Sequence, residues 1–243
     1  MKRILLALAL AFAASAAPAA AVESPRWGSF ELAVGGYRPN IDAEFGGQAT
    51  PYRDVFGNGR GLMVRMDAAY SLIVDYGSLD VGMGVGYTEK YGKGFLLDGV
   101  TRSDTTGLRL IPVRVHLTYR LDWFANRWSI PLAPYGRISL ERYNWWVTNG
   151  VGDIAKTVAQ AGASSRSGYG ATNGWSVSAG VALQLDFFDG RLARDMDNNT
   201  GINHTYLFVD FTKSFIKDFG SSTSWDLSDD RKITLSGGIL FVF

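Results

Sequence analysis

The sequence of 243 residues contains no cysteine and carries almost no net charge. Without cysteine the chain has no disulfide scaffold, thiolate metal site, cysteine nucleophile or lipidated N-terminal cysteine. The 24 Lys and Arg residues nearly balance the 23 Asp and Glu residues. Nucleic-acid binding needs a basic surplus, so a nucleic-acid partner is disfavoured. No phosphate loop, dinucleotide fingerprint or serine elbow occurs, so we expect no cofactor.

A long hydrophobic run occurs only at the N-terminus. Lys2 and Arg3 precede an apolar stretch over residues 4–14, and Ala19, Ala20 and Ala21 follow it. This pattern predicts a signal peptide over residues 1–21, with a cut after Ala16 as the alternative to cleavage after Ala21. Residues 22–243 then form one domain without the ~20 consecutive apolar residues of a spanning helix. If this exported chain enters a membrane, it must therefore cross as strands.

Apolar and polar residues alternate in eight segments of the mature chain. They are residues 30–35, 62–68, 79–88, 113–122, 134–147, 175–187, 205–212 and 233–243. Alternation is typical of strands with two different faces, and most segments are close to the ~9–11 residues of a tilted membrane strand. The sequence therefore predicts an all-β fold, an eight-stranded antiparallel transmembrane up-and-down β-barrel preceded by a cleaved signal peptide.

The connections between these segments differ in length. Long stretches at 40–58, 89–107, 148–174 and 213–232 alternate with shorter ones at 71–78, 123–132 and 189–203. This alternation predicts long surface loops and shorter periplasmic turns. We expect one helical turn over residues 190–196, and a bulge or change of phase at Pro112, which cannot donate to a ladder.

The composition of the two faces favours a membrane barrel over a soluble, lipocalin-like one. The major face carries Leu, Val, Ile and Met, whereas the other carries mostly Gly, Ser, Ala and Thr rather than Lys and Glu. Aromatic residues near the segment ends predict two interfacial girdles. We place Tyr70, Tyr119, Trp123, Tyr135, Phe187 and Phe243 in the periplasmic girdle, and Tyr87, Trp145, Trp146 and Trp175 in the surface girdle.

The last segment resembles the C-terminal strand of Gram-negative outer-membrane proteins. Phe243 ends the chain, and Phe241 and Ile239 precede it at every second position. Residues 111–119 and 134–140 are similar to strands of small barrels of the OmpA, OmpX and OmpW type, although the peptidoglycan-binding domain of the OmpA type is missing. The resemblance implies an outer-membrane location and recognition of Ile239, Phe241 and Phe243 by the barrel-assembly machinery. It implies little about activity.

Charged residues on the minor face are expected to fill the narrow barrel interior as a structural network. They are Arg65, Asp67, Asp80, Arg114, His116, Arg120, Arg137, Glu141, Asp186 and Asp210. Buried charges must pair to offset their desolvation, so we expect Arg65 to pair with Asp67 or Asp80, and Arg137 with Glu141. A narrow polar conduit is the alternative to such a plug.

The sequence gives little support for catalytic or metal-binding residues. A lipid-modifying enzyme would need an outward His and Ser, whereas His116 faces inward beside Thr118 and His204 lies at the periplasmic end. Residues 195–201 resemble the start of a calcium loop, but Gly201 is one place late and Tyr206 replaces the acidic ligand, so a turn rich in Asx residues is favoured. We expect no metal site and no catalytic residues.

The sequence predicts a non-enzymatic outer-membrane protein with a plugged lumen and a structural or adhesive role. The first alternative is a narrow channel for small solutes, hydrophobic ones among them, and the second is a lipid-modifying enzyme. The expected partners are outer-membrane lipids, lipopolysaccharide and the barrel-assembly machinery. The oligomeric state stays open.

Overall fold

Eight antiparallel strands close into a barrel in chain order, which confirms the predicted eight-stranded barrel, whereas the predicted signal peptide over residues 1–21 lies outside the described residues. The computed structural model describes residues 24–95, 101–128, 130–156 and 165–243. The strands are β1 (Gly28–Tyr37), β2 (Gly61–Ile73), β3 (Ser78–Phe95), β4 (Arg102–Arg120), β5 (Leu132–Thr148), β6 (Tyr169–Gln184), β7 (His204–Ile216) and β8 (Thr234–Val242). The barrel closes where β1 pairs with β8, from Ser29 opposite Val242 to Gly35 opposite Ser236.

The longest strands form a hairpin that extends beyond the predicted segments. The loop predicted over residues 89–107 is wrong, because β3 and β4 continue to pair from Glu89 opposite Arg109 to Phe95 opposite Arg102. Aromatic and Thr residues in this stretch suit strands, and pairing satisfies their backbone groups. A short helix, α1 (Pro51–Phe56), packs against it, and a Cβ on Gly92 would lie 2.0 Å from the Val55 carbonyl oxygen.

Pro112 interrupts the β3–β4 ladder without changing its phase. Pairing stops at Val85 opposite Val113 and resumes at Thr88 opposite Leu110 in the same register. Leu110 and Arg114, on either side of the proline, are both buried. The predicted bulge or phase change is therefore wrong. Proline removes one donor here, but its fixed φ remains compatible with an extended strand.

Two of the three periplasmic turns contain helices. They are α2 (Trp123–Trp128) and α3 (Gly190–Thr200), so the single helical turn expected over 190–196 is too short. The Asx-rich turn expected over residues 195–201 is also wrong, because α3 includes most of it. Asp189 caps α3 by accepting from the backbone N–H groups of Arg191 and Leu192, and Gly201 ends it at φ 70°. Among the described residues, no helix is long and apolar enough to cross a bilayer.

The strand faces divide as the alternation predicts. Large apolar side chains point outward, for example Met83 at 68% and Leu140 at 64% exposure, whereas charged side chains of the same strands are buried inside. Two residues assigned to the girdles are corrected. Tyr135 is buried in an inner cluster with Phe208, and Trp145 stacks on Trp225 above the lumen.

Candidate functional site

Two ion pairs occupy the middle of the lumen. Arg114 binds Asp67 with both ends of its guanidinium, from Nε to Oδ1 at 2.6 Å and from Nη2 to Oδ2 at 2.7 Å. Arg137 Nη2 donates to Glu31 Oε1 at 2.5 Å. Bidentate, charge-assisted hydrogen bonds are among the strongest that side chains make, and such geometry is what a buried ion pair needs to offset desolvation.

Glycine residues on β3 make room for these long side chains. A Cβ on Gly84 would lie 1.8 Å from Asp67 Oδ1, and one on Gly82 would lie 2.7 Å from His116 Cε1. β3 lies between β2, which carries Asp67, and β4, which carries Arg114. The pair therefore reaches across the inner face of an intervening strand that has no side chain there.

Hydroxyl and histidine side chains extend the central network. Thr118 Oγ1 accepts from Arg137 Nε at 2.8 Å and lies 3.2 Å from His116 Nδ1. His116 Nε2 is 3.6 Å from Asp67 Oδ1. His116 is therefore held inside the network among charged residues, not at the membrane edge where lipid chemistry would take place.

A second polar group lies nearer the periplasmic end. Arg120 Nη2 is 3.4 Å from Asp80 Oδ2, and Asp80 Oδ1 accepts from Ser71 Oγ at 2.7 Å. The half-buried Asp186 lies farther down, with its Oδ2 2.6 Å from His204 Nδ1. Asp186 thus lies at the periplasmic rim and does not join the central pairs.

The structure brings most of the predicted lumen residues together, but with other partners. Arg65 donates to Ser236 Oγ at 2.8 Å rather than pairing with Asp67 or Asp80. Glu141 accepts a hydrogen bond from Ser176 Oγ, while Arg137 pairs with Glu31. Both predicted pairings are therefore wrong.

Asp210 and Glu31 also lie in the lumen. Buried Asp210 accepts from Thr212 Oγ1 at 3.2 Å. Glu31 was not among the predicted lumen residues, although it is an acidic residue at a buried, inward position of β1.

Apolar layers lie on both sides of the polar centre. At the periplasmic side a buried cluster contains Ala33, Ala133, Tyr135, Ala182, Tyr206, Phe208, Leu240 and Val242. At the surface side another contains Tyr37, Ile41, Tyr52, Met63, Leu108, Leu110, Tyr143, Ile216 and Leu227. A cavity of about 30 Å³ lies against Arg65, Glu141 and Ser236, and such a space holds about a water molecule.

Surface loop 4 (residues 217–233) folds into the barrel mouth. Leu227 is fully buried, its N–H donates to the Ile216 carbonyl at 2.9 Å, and its own carbonyl accepts from Tyr37 Oη at 2.7 Å. The Ser228 hydroxyl accepts from the Ile216 N–H at 2.8 Å. The loop therefore caps the lumen, and the backbone N–H and carbonyl of the buried Leu227 are both hydrogen-bonded.

Surface loop 1 (residues 38–60) holds loop 4 in place. Arg60 forms ion pairs with both Asp229 and Asp230, and Arg38 Nη1 lies 3.6 Å from Asp230 Oδ2. Tyr52 of α1 packs into the surface-side cluster, and burial raises the pKa of its hydroxyl to about 12. Sequence reasoning missed this contact between loops, for which the opposite charges of Arg60 and the Asp229–Asp230 pair were the available signal.

The residues of the expected assembly signal lie along the outer side of β8 and at its end. Ile239 is exposed on the outside, and the ring of Phe243 lies 5.8 Å from that of Trp27. Within the described part of the chain, no group of three or more His, Asp or Glu side chains is arranged to hold a metal ion.

The radial distribution of side chains decides the class of protein. Apolar side chains cover the outside of a closed barrel while arginines and carboxylates are buried inside, the reverse of a soluble barrel and the arrangement of a barrel in lipid. The chain is a small membrane-spanning β-barrel.

Comparison with solved structures finds barrels of the same class. The barrel resembles OprG from Pseudomonas aeruginosa (12% identity, TM-score 0.46) and Neisserial surface protein A (16% identity, TM-score 0.44). It also resembles Ail from Yersinia pestis, solved with the heparin analogue sucrose octasulfate (10% identity, TM-score 0.40). Each alignment covers 90% of this chain and 97% of the other. No protein-family model matches the sequence, and neither does any curated protein.

Proposed function

We propose that the protein is a non-conducting, non-enzymatic barrel that stabilises the outer membrane and presents its surface loops for contact. The observation that carries this proposal is the layered lumen. Ion pairs such as Arg114–Asp67 fill the centre, and apolar clusters with loop 4 close both ends. An eight-stranded barrel has an interior that side chains can just fill, so this arrangement suits a plug better than a pore.

Electrical recording tests the plug directly. The full chain, refolded in planar bilayers, should give no stable single-channel conductance, and liposomes that contain it should not swell in small sugars. A general porin in the same lipid serves as the positive control. Stable, large conductance steps would overturn the proposal in favour of the narrow channel. Mass analysis of lipopolysaccharide after incubation should show no lipid product, and a new product would indicate an enzyme.

We also propose that the protein is exported with cleavage of a signal peptide over residues 1–21. Cleavage after Ala21 would leave Val22 as the first residue, close to Ser24, whose N–H and side chain already bind Asp197 of α3. N-terminal sequencing of the protein from outer membranes should find Val22, and a mature protein that still begins at Met1 would contradict cleavage. The terminal strand is the proposed contact with the barrel-assembly machinery.

Lipopolysaccharide is the proposed lipid partner at the surface end. The rings of Trp175 and Phe215 stack with centroids 4.4 Å apart on the outer wall, and Lys213 Nζ lies 5.5 Å from the Phe215 ring. A cation beside an interfacial aromatic pair suits a lipid phosphate. Lys213→Gln should reduce the lipopolysaccharide that co-purifies several-fold, whereas Lys93→Gln, on the β3–β4 hairpin, should not. Equal retention by both variants would contradict this contact.

A further inference from the structure

An open cleft of about 410 Å³ lies on the outer side of the barrel between the β5–β6 wall and the described start of loop 3 (residues 149–156). Trp146 and Tyr169 form its aromatic wall as a cross-strand pair, and Tyr169 is 62% exposed. Ile154 and Gly152 of loop 3 line the opposite side, where Ile154 bridges to Thr148. The volume falls within the range of small-molecule sites, about 300–1,000 Å³.

The base of this cleft, which we call the loop 3 cleft, is fixed by packing. Trp145 lines it and stacks on Trp225 of loop 4, with centroids 4.2 Å apart and planes 17° apart. Gly170 allows this position, because a Cβ there would lie 2.7 Å from Trp145 Cζ2. The indole Nε1 of Trp145 is buried and has no hydrogen-bond partner among the described residues. The ring faces inward against the surface-side cluster, so it supports the wall from behind and leaves Trp146 and Tyr169 as the surface open to a ligand.

The loop 3 cleft lies above the lipid-facing band. On β5 the last strongly exposed apolar residue is Leu140, and the next outward residue is Arg142, whose Nη1 donates to Asn173 Oδ1 at 3.1 Å. Trp146 lies about 20 Å beyond Leu140 along the strand, at ~3.3 Å per residue. The cleft therefore opens at the level of the sugars of the outer leaflet and the medium, not at the level of acyl chains.

The chemistry of the lining selects the ligand. It combines the aromatic faces of Trp146 and Tyr169 with the amide of Asn144 and the hydroxyl of Thr148, and no charged side chain lines it among the described residues. A pyranose ring has an apolar C–H face and a hydroxyl edge, which match an aromatic wall and neutral hydrogen-bonding groups. An acyl chain offers no hydrogen-bonding group to the Asn144 amide and the Thr148 hydroxyl, and a phosphate would find no cation in the described lining.

We propose that the loop 3 cleft binds a neutral sugar residue of an oligosaccharide. The sugar comes either from the core of lipopolysaccharide in the same membrane or from a free glycan. This inference rests on the proposed role in surface contact and specifies its ligand. Its failure would be distinguishable, because a barrel that binds no sugar would still be silent in conductance recordings.

Fluorine NMR of the full chain labelled with 5-fluorotryptophan provides the test. The seven tryptophans include Trp145 and Trp146 at the cleft and Trp27 at the opposite end of the barrel, which acts as an internal control. The probes are core oligosaccharide freed from lipid A, lipid A alone, and maltotriose. We expect the Trp145 and Trp146 signals to shift with a saccharide probe while the Trp27 signal stays in place.

Variants then assign the binding to the aromatic wall. Tyr169→Ala should weaken saccharide binding about tenfold, because one aromatic stacking face is lost. Trp146→Phe should retain more affinity than Trp146→Ala. Trp128→Ala, at an exposed tryptophan of the periplasmic turn, is the matched control and should bind like the native chain. Heat-modifiable migration on gels reports that each variant is folded.

The outcomes separate the sources of the sugar and the failure of the proposal. Shifts with core oligosaccharide assign the site to lipopolysaccharide, whereas shifts with maltotriose alone assign it to free glycans, and both support a saccharide site. Shifts with neither saccharide, equal shifts with lipid A alone, or unchanged affinity in Tyr169→Ala would each overturn the proposal.

Discussion

At the scale of single residues, the Arg114–Asp67 pair is buried in the lumen, where a charge without a partner would be strongly destabilising. The two side chains belong to residues that are 4% and 3% exposed. A buried ion pair of this kind contributes little net stability compared with apolar groups of the same shape, but removing one partner leaves a charge without compensation. The pair therefore acts mainly by restricting which arrangement of the lumen is allowed.

Replacing one partner of this pair should destabilise the barrel strongly. We expect Asp67→Ala to lower the free energy of unfolding by about 3–5 kcal/mol, because Arg114 stays buried and charged. Urea unfolding in lipid vesicles, followed by tryptophan fluorescence, measures this. The exposed Asp153→Ala should change it by less than ~0.5 kcal/mol. The double variant Asp67→Leu with Arg114→Met should recover most of the loss, and a double variant as unstable as the single one would contradict this account.

The sequence predicted which side chains face inward but not which ones meet. Alternation requires that residues two apart share a face, so the inward position of Asp67 and Arg137 followed from local pattern. Partners are set by the closed barrel instead. Arg137 of β5 reaches Glu31 of β1 across the lumen, and Arg114 of β4 reaches Asp67 of β2 past Gly84. Pairing arguments limited to residues near in sequence cannot find such contacts.

At the scale of elements, α3 is stabilised by a carboxylate that titrates. The backbone N–H groups of Leu192 and Arg191 donate to Asp189 and hold the pKa of its carboxyl below the usual range. A lowered pKa in the folded state means that the stabilisation is present above the ordinary carboxyl pKa and is lost as the pH falls through the lowered one.

The α3 cap should therefore respond to acid. We expect helical Cα chemical shifts over residues 190–200 to weaken between pH 7 and pH 2. Asp189→Ala should already show the weaker shifts at pH 7, and Asp189→Asn should keep an acceptor and respond little to acid. Shifts in Asp189→Ala that match those of the native chain at pH 7 would show that the cap does not hold the helix.

The helix α2 should lie at the inner lipid interface. The rings of Trp123 and Trp128 have centroids 4.8 Å apart, and Trp128 is 56% exposed, four residues before the exposed Leu132 that begins β5. Aromatic residues at such a boundary favour the headgroup region. Since the chain has no cysteine, a nitroxide on Trp128→Cys reports one site. It should be less accessible to an aqueous nickel chelate than a label on Val151→Cys in loop 3, and equal accessibility would exclude contact with lipid.

Strands were easier to predict than the segments that join them. Eight alternating segments became eight strands because the difference between lipid outside and packed lumen inside repeats at every second residue. The connections have no such constraint. The capped helix α3 and the extended β3–β4 hairpin depend on local hydrogen bonds and on contact with α1, and the hydropathy pattern contains neither. The loop 3 cleft was missed for the same reason, because its two sides come from β5–β6 and from a loop that folds back on them.

At the scale of the whole molecule, the last residue joins the two ends of the sheet. The Phe243 N–H donates to the Gly28 carbonyl at 2.9 Å, and its own backbone oxygen accepts from the Trp27 N–H at 2.6 Å. Phe243→Ala keeps these backbone bonds and removes only the ring that lies near Trp27.

This substitution separates the contribution of Phe243 to the stability of the β1–β8 contact from its proposed recognition by the barrel-assembly machinery. We expect Phe243→Ala to refold into pure lipid vesicles nearly as completely as the native chain, whereas its yield in the outer membrane should fall several-fold. Val242→Ala, at an inward position of β8, is the comparison. Equal losses in vesicles and in cells would mean that Phe243 acts through the fold alone and not as a signal.

The pairing of Ser29 with Val242 links residues from opposite ends of the chain. Such a contact forms late, because nearly the whole polypeptide must be looped out before it is made. Until then β1 and whichever strand is last have open edges that invite pairing with other chains. A product that stops before β8 can never complete the ring, so closure requires that all eight strands have been synthesised. The barrel thus discriminates against shortened products through its topology alone.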